Sequence, residues 1–242
     1  MEFISSIVDA SQADRSAGNG GILLDNVNYT VYDSIFNWKS DTGPGAGVKA
    51  LEGTGSIDNC VFNENALAIW ASGGSSVITS CNISGAAYTS YGINLTGGPG
   101  AAEIRRNTID GNTGYGLRIG GTMMLVLRNN AITNNGLSGV LIDSTLSNPS
   151  LVNINMGTTN DRGNNLLDDN THPDVPTREI QAYVTQDTNA GSTLIPANWN
   201  YWGVATAAEV NLAIIDNGDL GANRATLGIG SFWPSPGGEV GP

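Results

Sequence analysis

Positive charge is scarce in this sequence. The 242 residues include 10 Lys and Arg against 22 Asp and Glu, and the formal net charge is −12. A nucleic-acid partner is not expected, because phosphate binding requires a basic face. The same excess of acid argues against attachment to anionic membrane surfaces. We interpret this charge as that of a soluble, acidic protein of the extracellular or halotolerant kind.

Histidine, cysteine and long apolar runs are scarce as well. One His and two Cys are too few for the usual zinc ligand sets, so we expect no metal or cofactor there. No run reaches about 18 apolar residues, so no transmembrane helix and no membrane insertion are expected. The start, Met1-Glu2-Phe3, lacks the features of a signal peptide. Glu-Phe after Met looks like a leftover of cloning, so we expect a fragment of a larger protein.

What the sequence does contain is a repeat of about 24 residues. Segments 31–36, 57–62, 78–83, 104–109 and 127–132 share one pattern: apolar, two mostly polar residues, a small or amide residue, one variable residue, then Ile or Phe. The small or amide residues are Ser34, Cys60, Cys81, Asn107 and Asn130. A fixed period of this length, with Gly and Asn punctuation and no helical stripe, predicts a β-solenoid in which each repeat is one coil.

A second column of residues runs in phase with the first. Segments 21–24, 47–50, 68–71, 92–95, 116–119 and 139–142 read Gly or Ala, apolar, variable, apolar. This alternation predicts short strands whose apolar residues point inward and whose variable residue points outward. The inward stacks are Phe36, Phe62, Ile83, Ile109, Ile132 and Val48, Ile69, Ile93, Leu117, Val140. The outward row is Lys49, Trp70, Asn94, Arg118 and Leu141.

The column of small and amide residues predicts a ladder at a bend of the coil. Asn side chains there would bond to their neighbours in adjacent coils. Cys60 and Cys81 occupy this position in successive coils, about 4.8 Å apart by strand spacing. That distance admits a disulfide, whereas two buried thiols would equally fill a ladder of small residues. Both readings stay open.

The period blurs after about residue 143. Segments 179–184 and 194–199 look like strands, and 209–219 has the apolar spacing of a short helix. A solenoid needs its last coil covered, and Trp199, Tyr201, Trp202 and Trp233 have the bulk for an aromatic C-terminal cap. We therefore divide the chain into a lead-in at 1–20, coils at 21–203, and a cap and tail at 204–242.

The coil pattern resembles the right-handed parallel β-helix proteins of the pectate-lyase-like superfamily, over roughly residues 20–234. Segments 163–165, 197–203, 214–216 and 228–234 are similar to the end of NosD-like bacterial and archaeal surface modules. The resemblance implies an all-β, single-stranded parallel β-helix of about seven coils. It implies little about function, because this fold carries lyases, hydrolases, epimerases, adhesins and inert stalks.

In enzymes of this superfamily the chemistry lies on the outward positions of one strand face. Here Lys49 and Arg118 are three coils apart with no acid between them, which suits a lyase poorly. Paired carboxylates for a glycosidase are not in register, so we assign no catalytic residue. A catalytic or Ca²⁺-binding role for the loop Asp168, Asp169, His172, Asp174 is the less favoured reading. A Ca²⁺ site at Asp216, Asn217 and Asp219 lacks the spacing of a Ca²⁺ loop.

The outward row favours binding instead. An outward Trp70 beside Lys49, Asn94 and Arg118 could stack a sugar ring and donate hydrogen bonds; alternatively a loop at 86–91 covers Trp70. Arg105, Arg106 and Arg128 form a second basic group, in which Arg105 and Arg128 would point outward one coil apart. They could hold an acidic glycan, but the favoured interpretation is that they bridge to nearby carboxylates. We expect a non-catalytic, secreted or cell-surface module that binds carbohydrate or serves as a scaffold. The alternative is a polysaccharide-active enzyme, and the exposed first coil near Gly21 could also drive self-association.

Overall fold

The computed structural model describes residues 2–4, 7–9, 21–37, 45–86, 91–120, 124–143, 154–171, 181–185, 194–216 and 226–236. It is an all-β parallel β-solenoid, and every pair of strands within it is parallel. Each turn of chain passes through three faces, and hydrogen bonds run between equivalent strands of successive turns.

Three faces contain the strands. The first face, which carries the Gly-led segments, is formed by β3 (Ile22–Asp25), β6 (Ala46–Leu51), the starts of β9 (Leu67–Thr79) and β11 (Tyr91–Arg105), β13 (Tyr115–Gly120), β16 (Val140–Asp143), β19 (Ala182–Val184) and β21 (Ile214–Ile215). The second face is formed by β1 (Glu2–Ile4), β4 (Tyr29–Tyr32), β7 (Thr54–Asp58), the ends of β9 and β11, β14 (Met124–Arg128) and β17 (Ile154–Asn155). The third face is formed by β2 (Ile7–Asp9), β5 (Ile35–Asn37), β8 (Val61–Asn63), β10 (Asn82–Ser84), β12 (Thr108–Asp110), β15 (Ala131–Thr133) and β18 (Leu166–Asp168).

The regular middle of the solenoid comprises about four turns, from β6 to β15. Strands β9 and β11 are long because they bend from the first face onto the second, which joins both faces into one sheet. The segment expected as a lead-in contributes β1 and β2, which pair with β4 and β5.

The predicted inward columns are confirmed by the strand register. Phe36, Phe62 and Ile83 stand opposite one another on the third face, and Ile109 and Ile132 continue the row. The rings of Phe36 and Phe62 stack with centroids 4.7 Å apart. All of these side chains are buried, so the column contributes apolar burial at about 25 cal/mol per Å².

The corner between the second and third faces bends through the left-handed region. The residue that precedes each ladder position has a positive φ of 50° to 60°, and these residues are Asp33, Asn59, Ser80, Arg106, Asn129, Asn164 and Trp199. Left-handed backbone at one residue turns the chain sharply, and Asn and Asp tolerate it better than most residues. The ladder residue that follows then points into the solenoid.

The predicted Asn ladder is confirmed and extends further than expected. The Asn107 side-chain amide donates to Asn130 Oδ1 (3.0 Å), Asn130 donates to Asn165 (2.9 Å), and Asn165 donates to Asn200 (2.8 Å). Each amide also donates to a strand carbonyl, as Asn107 does to Ile78 (2.9 Å). The ladder therefore satisfies buried amides from one turn to the next.

A second ladder, which the sequence analysis missed, lies at the corner between the third and first faces. Asn112 donates to Asn135 Oδ1 (2.9 Å), Asn135 to Asn170 (2.8 Å), and Asn170 to Gln181 (2.5 Å). Asn112, Asn135 and Asn170 each follow a residue of the first ladder by five positions, so the signal for these three was present in the sequence. Two ladders brace two corners of each of these turns.

The C-terminal part differs in detail from the prediction. The helix α1 spans Ala207–Leu212, where Thr206 and Glu209 form a capping box. The predicted short helix is therefore present, but Ile214, which was expected to belong to it, instead pairs with β19 together with Ile215 and continues the first face. Residues 217–219 of that segment lie outside the described residues. Strands β20 (Leu194–Pro196) and β22 (Thr226–Gly228) form a two-stranded sheet.

The aromatic residues expected in the cap lie in different surroundings. Trp202 is fully buried in the core. The rings of Trp199 and Trp233 contact each other at 5.2 Å, and Arg162 lies over both. These side chains do not form one aromatic cluster, so a cap built from them stays a proposal.

Candidate functional site

The first face brings the four predicted site residues into one row. Lys49 is in register with Trp70, Trp70 with Asn94, and Asn94 with Arg118. Neighbouring members are therefore one strand spacing apart, about 4.8 Å. The register confirms that these four residues share one row on consecutive turns. Lys49, Trp70 and Arg118 are partly exposed, whereas Asn94 is buried, and so is Leu141, the fifth residue of the predicted outward row. The binding role of the row stays a prediction.

Trp70 is held at its ring face and at its polar edge. The Lys49 ammonium lies 4.1 Å from the centroid of the Trp70 ring, and the indole N–H donates to Thr96 Oγ1 (2.8 Å). Lys49 has no carboxylate partner among the described residues. A cation–π contact at a half-exposed site contributes about 0.5–1 kcal/mol, so the flexible Lys49 side chain can leave the ring at low cost.

Arg118 is neutralised by a carboxylate from the next turn. Its guanidinium donates to Asp143 Oδ2 through Nε (3.2 Å) and Nη2 (2.7 Å), and both side chains are largely buried. Nη1 donates to Asn94 Oδ1 (3.4 Å). Arg118 is therefore a fixed hydrogen-bonding group rather than a free positive charge on this face.

Two tyrosines that were not predicted as site residues lie beside the row, three residues before Asn94 and Arg118 on the same strands. Tyr91 and Tyr115 are in register, and their rings stack with centroids 5.8 Å apart. The Arg118 guanidinium lies 5.0 Å from the Tyr91 ring. Each tyrosine directly precedes the Gly of a Gly-led segment, and this recurrence was the signal for them. The face thus combines three aromatic rings, Trp70, Tyr91 and Tyr115, with polar groups between them.

The loop that could cover Trp70 is described only at its ends, Ala86 and Tyr91; residues 87–90 lie outside the described part. Trp70 itself is half-buried. The contacts that the structure shows for its ring come from Lys49 on the row and from Thr96 on β11.

In the basic group formed by Arg105, Arg106 and Arg128, two members, Arg105 and Arg128, bridge to carboxylates, as the favoured interpretation predicted. Arg105 pairs with Glu103, and Arg128 pairs with Asp161 at 2.6 Å. The predicted outward position of Arg128 is wrong: its side chain is buried because Asn155, on the next turn, offers it a carbonyl and an amide oxygen. The Arg128 hydrogen bond lowers the pKa of Asp161.

The acidic loop is described only in part. Burial, helped by the neighbouring Asp169 carboxylate, raises the pKa of Asp168. His172 and Asp174 lie outside the described residues, as do Asn217 and Asp219. The Asp216 carboxylate accepts the Leu227 backbone N–H (2.9 Å). Within the described ranges, no group of three or more His, Cys, Asp or Glu is placed to hold a metal ion.

Both cysteines are free and buried. The Cys60 thiol donates to the Asp58 carbonyl (3.2 Å) and the Cys81 thiol to the Thr79 carbonyl (3.1 Å). The neighbouring Cys81 side chain lowers the pKa of the Cys60 thiol. Of the two readings left open by the sequence, the structure shows the buried thiols.

Comparison with known proteins agrees with this architecture. The family model described as "Right handed beta helix region" matches residues 20–172, which is more than half of the chain. The chain belongs to the right-handed β-helix family. No curated protein and no solved structure matches this β-helix chain significantly. Within the described residues of the β-helix, no helix has the length and apolar character needed to span a bilayer.

Proposed function

We propose that this β-helix is a non-catalytic carbohydrate-binding module of a secreted or cell-surface protein. The observation that carries the proposal is the row Lys49, Trp70, Asn94 and Arg118, with Tyr91 and Tyr115 beside it on the first face. Aromatic rings offer apolar surface to the face of a sugar, while amide, ammonium and guanidinium groups donate to its hydroxyls.

The geometry suggests how such a ligand would lie. The row advances by one residue per turn, so an extended glycan would run along the solenoid axis and meet a new side chain at each step. Binding would move the Lys49 ammonium from the Trp70 ring to a sugar oxygen, and the ring would then face the sugar. The Arg118–Asp143 pair would stay in place as a rigid donor and acceptor.

The same proposal includes the finer architecture. The seven strands of the third face support a solenoid of about seven coils, and the contact between Trp199 and Trp233 supports aromatic residues near its C-terminal end. Segments 163–165 and 197–203 support a relationship to the NosD-like surface modules. Self-association through the N-terminal coil is a separate proposal, which sedimentation velocity at several concentrations would test.

The test is a glycan and polysaccharide array with the purified chain, with and without Ca²⁺. Trp70→Ala should weaken binding at least about tenfold, because loss of a stacking aromatic anchor costs about 2 kcal/mol or more. The matched control is Met124→Ala, which removes an exposed large side chain from the second face and should leave binding unchanged.

Each outcome has a distinct meaning. Binding that Trp70→Ala abolishes and Met124→Ala preserves supports the proposal. New unsaturated or reducing ends on any bound polysaccharide would contradict the non-catalytic part and favour a polysaccharide-active enzyme. Failure to bind any glycan would contradict the carbohydrate part and favour a scaffold.

A further inference from the structure

Cys60 and Cys81 occupy the same position in two consecutive turns. The residues that follow them, Val61 and Asn82, are register partners, and the Asn82 N–H donates to the Cys60 carbonyl (2.9 Å). Adjacent parallel strands are about 4.8 Å apart, and disulfide-bonded cysteines have Cα atoms about 4.4–6.8 Å apart. The backbone therefore already holds the two residues at a bonding separation.

The thiols make two short contacts, to the carbonyls of Asp58 and Thr79, and two longer contacts of 3.7 Å, to the carbonyls of Val31 and Ile57. The Asp58 and Thr79 carbonyls also accept backbone N–H groups: the Asp33 N–H donates to Asp58 (3.2 Å) and the Asn59 N–H donates to Thr79 (3.1 Å). Oxidation of the thiols would thus leave each of these two carbonyls with a donor.

The pair lies where the first Asn ladder ends. Asn107 Oδ1 accepts the Cys81 backbone N–H (2.9 Å). The hydrogen bonds of the ladder therefore link the turn of Cys81 to the next turn toward the C-terminus. Cys81 has no amide with which to continue the connection to the turn of Cys60. A covalent bond between the two sulfurs would connect these turns where the side-chain amides stop.

We propose that Cys60 and Cys81 are a redox pair between adjacent turns, which a small-molecule disulfide such as oxidised glutathione converts into a disulfide bond. Both thiols are buried, so the reaction takes place while the chain folds or when this corner opens. The Cys60 thiolate then attacks one sulfur of oxidised glutathione, and the first glutathione thiolate leaves. The Cys81 thiolate then attacks the Cys60 sulfur of this mixed disulfide and expels the second. The protein loses two electrons and two protons, and oxidised glutathione becomes two molecules of reduced glutathione.

The thiol acidities agree with this order of attack. The interaction between the two thiols lowers the pKa of Cys60, whereas that interaction, together with burial, raises the pKa of Cys81. Cys60 therefore reaches the thiolate form first, and the thiolate is the nucleophile.

The experiment measures cross-linking in the full chain. Reduced protein is incubated folded with oxidised glutathione, and a second sample is refolded from denaturant in the same buffer. We expect a monomer lighter by two hydrogen atoms, no titratable thiol after unfolding, and a linked peptide containing Cys60 and Cys81. The oxidised protein should melt at a higher temperature, because the bond closes a loop in the unfolded chain, and a reductant should reverse this shift.

The controls are Cys60→Ser and Cys81→Ser, each of which should keep one titratable thiol and melt at the same temperature in either redox buffer. Two free thiols in both wild-type samples would overturn the proposal. So would cross-links found only between chains, or an oxidised monomer that melts no higher than the reduced one.

Discussion

Substitution of Asn130 by Ala should be among the most damaging single changes in the solenoid. The Asn130 side chain takes part in five hydrogen bonds. It donates to the carbonyls of Ile104 and Arg128 and to Asn165 Oδ1, and it accepts the backbone and side-chain N–H groups of Asn107. The residue is fully buried, so water cannot replace these partners.

The magnitude follows from the groups left behind. Each intramolecular hydrogen bond contributes about 0.5–1.5 kcal/mol net, and a buried group without a partner costs about 1–3 kcal/mol. Two Asn107 N–H groups would lose their acceptor, and Asn165 Oδ1 would lose one of its donors. The strand carbonyls keep second partners or lone pairs, which limits the total. We therefore expect a loss of about 3–5 kcal/mol in the free energy of unfolding.

Urea unfolding followed by Trp fluorescence and far-UV circular dichroism would measure this loss. The matched control is Asn82→Ala, an Asn exposed on the third face, which should change stability by no more than about 0.5 kcal/mol. An Asn130→Ala loss below about 1 kcal/mol, or one equal to that of Asn82→Ala, would refute the reasoning that the ladder supports the stack.

Two further predictions concern a corner and an ion pair. Gly74→Ala should lower the free energy of unfolding in urea by at least about 2 kcal/mol. The reason is that φ at Gly74 is +61° and a Cβ there would lie 1.9 Å from the Gly53 carbonyl oxygen. The control is Gly98→Ala, which should be near neutral because no atom lies within 4 Å of a Cβ at that position. Arg128 lowers the pKa of Asp161 in the folded state. The Asp161 carboxylate therefore stabilises the protein at pH values above its pKa in the unfolded chain, which is about 3.9. This contribution is lost as the pH falls through the pKa of Asp161 in the folded protein. The wild type should thus exceed Asp161→Asn in stability at pH 6, and the difference should shrink below about pH 4; a pH-independent difference in urea midpoints would contradict it.

Most of the fold could be predicted from the sequence because similar side chains recur at the inward-facing positions of successive turns. Phe36, Phe62 and Ile83 share one column since each has to fill the same space in successive turns. Asn107 and Asn130 share another since each has to satisfy the same carbonyls and N–H groups. Side chains under identical constraints become similar, and similarity at a fixed period is visible without coordinates.

Contacts that break the repeat were harder to predict. Arg128 occupies the register position of the half-exposed Arg105. It is nevertheless buried, because Asp161 belongs to an irregular segment with no counterpart in earlier turns. The contact between Asp143 and Arg118 could have been predicted by aligning the repeats. Asp143 pairs in register with Gly120, two residues beyond Arg118, and the long Arg118 side chain reaches from one position to the other. The burial of Arg128 required coordinates, whereas the Arg118–Asp143 contact required only that the alignment of the repeats be extended by one turn.

The division between inside and outside also makes the binding proposal testable. The ladders and apolar columns provide the stability, whereas the outward row differs in every turn, from Lys49 through Trp70 to Arg118. Trp70→Ala removes one cation–π contact and one hydrogen bond at a half-buried position, so we expect it to cost only about 1–2 kcal/mol of stability. A loss of glycan binding in a variant that still melts within a few degrees of the wild type would therefore reflect the surface itself and not the fold beneath it.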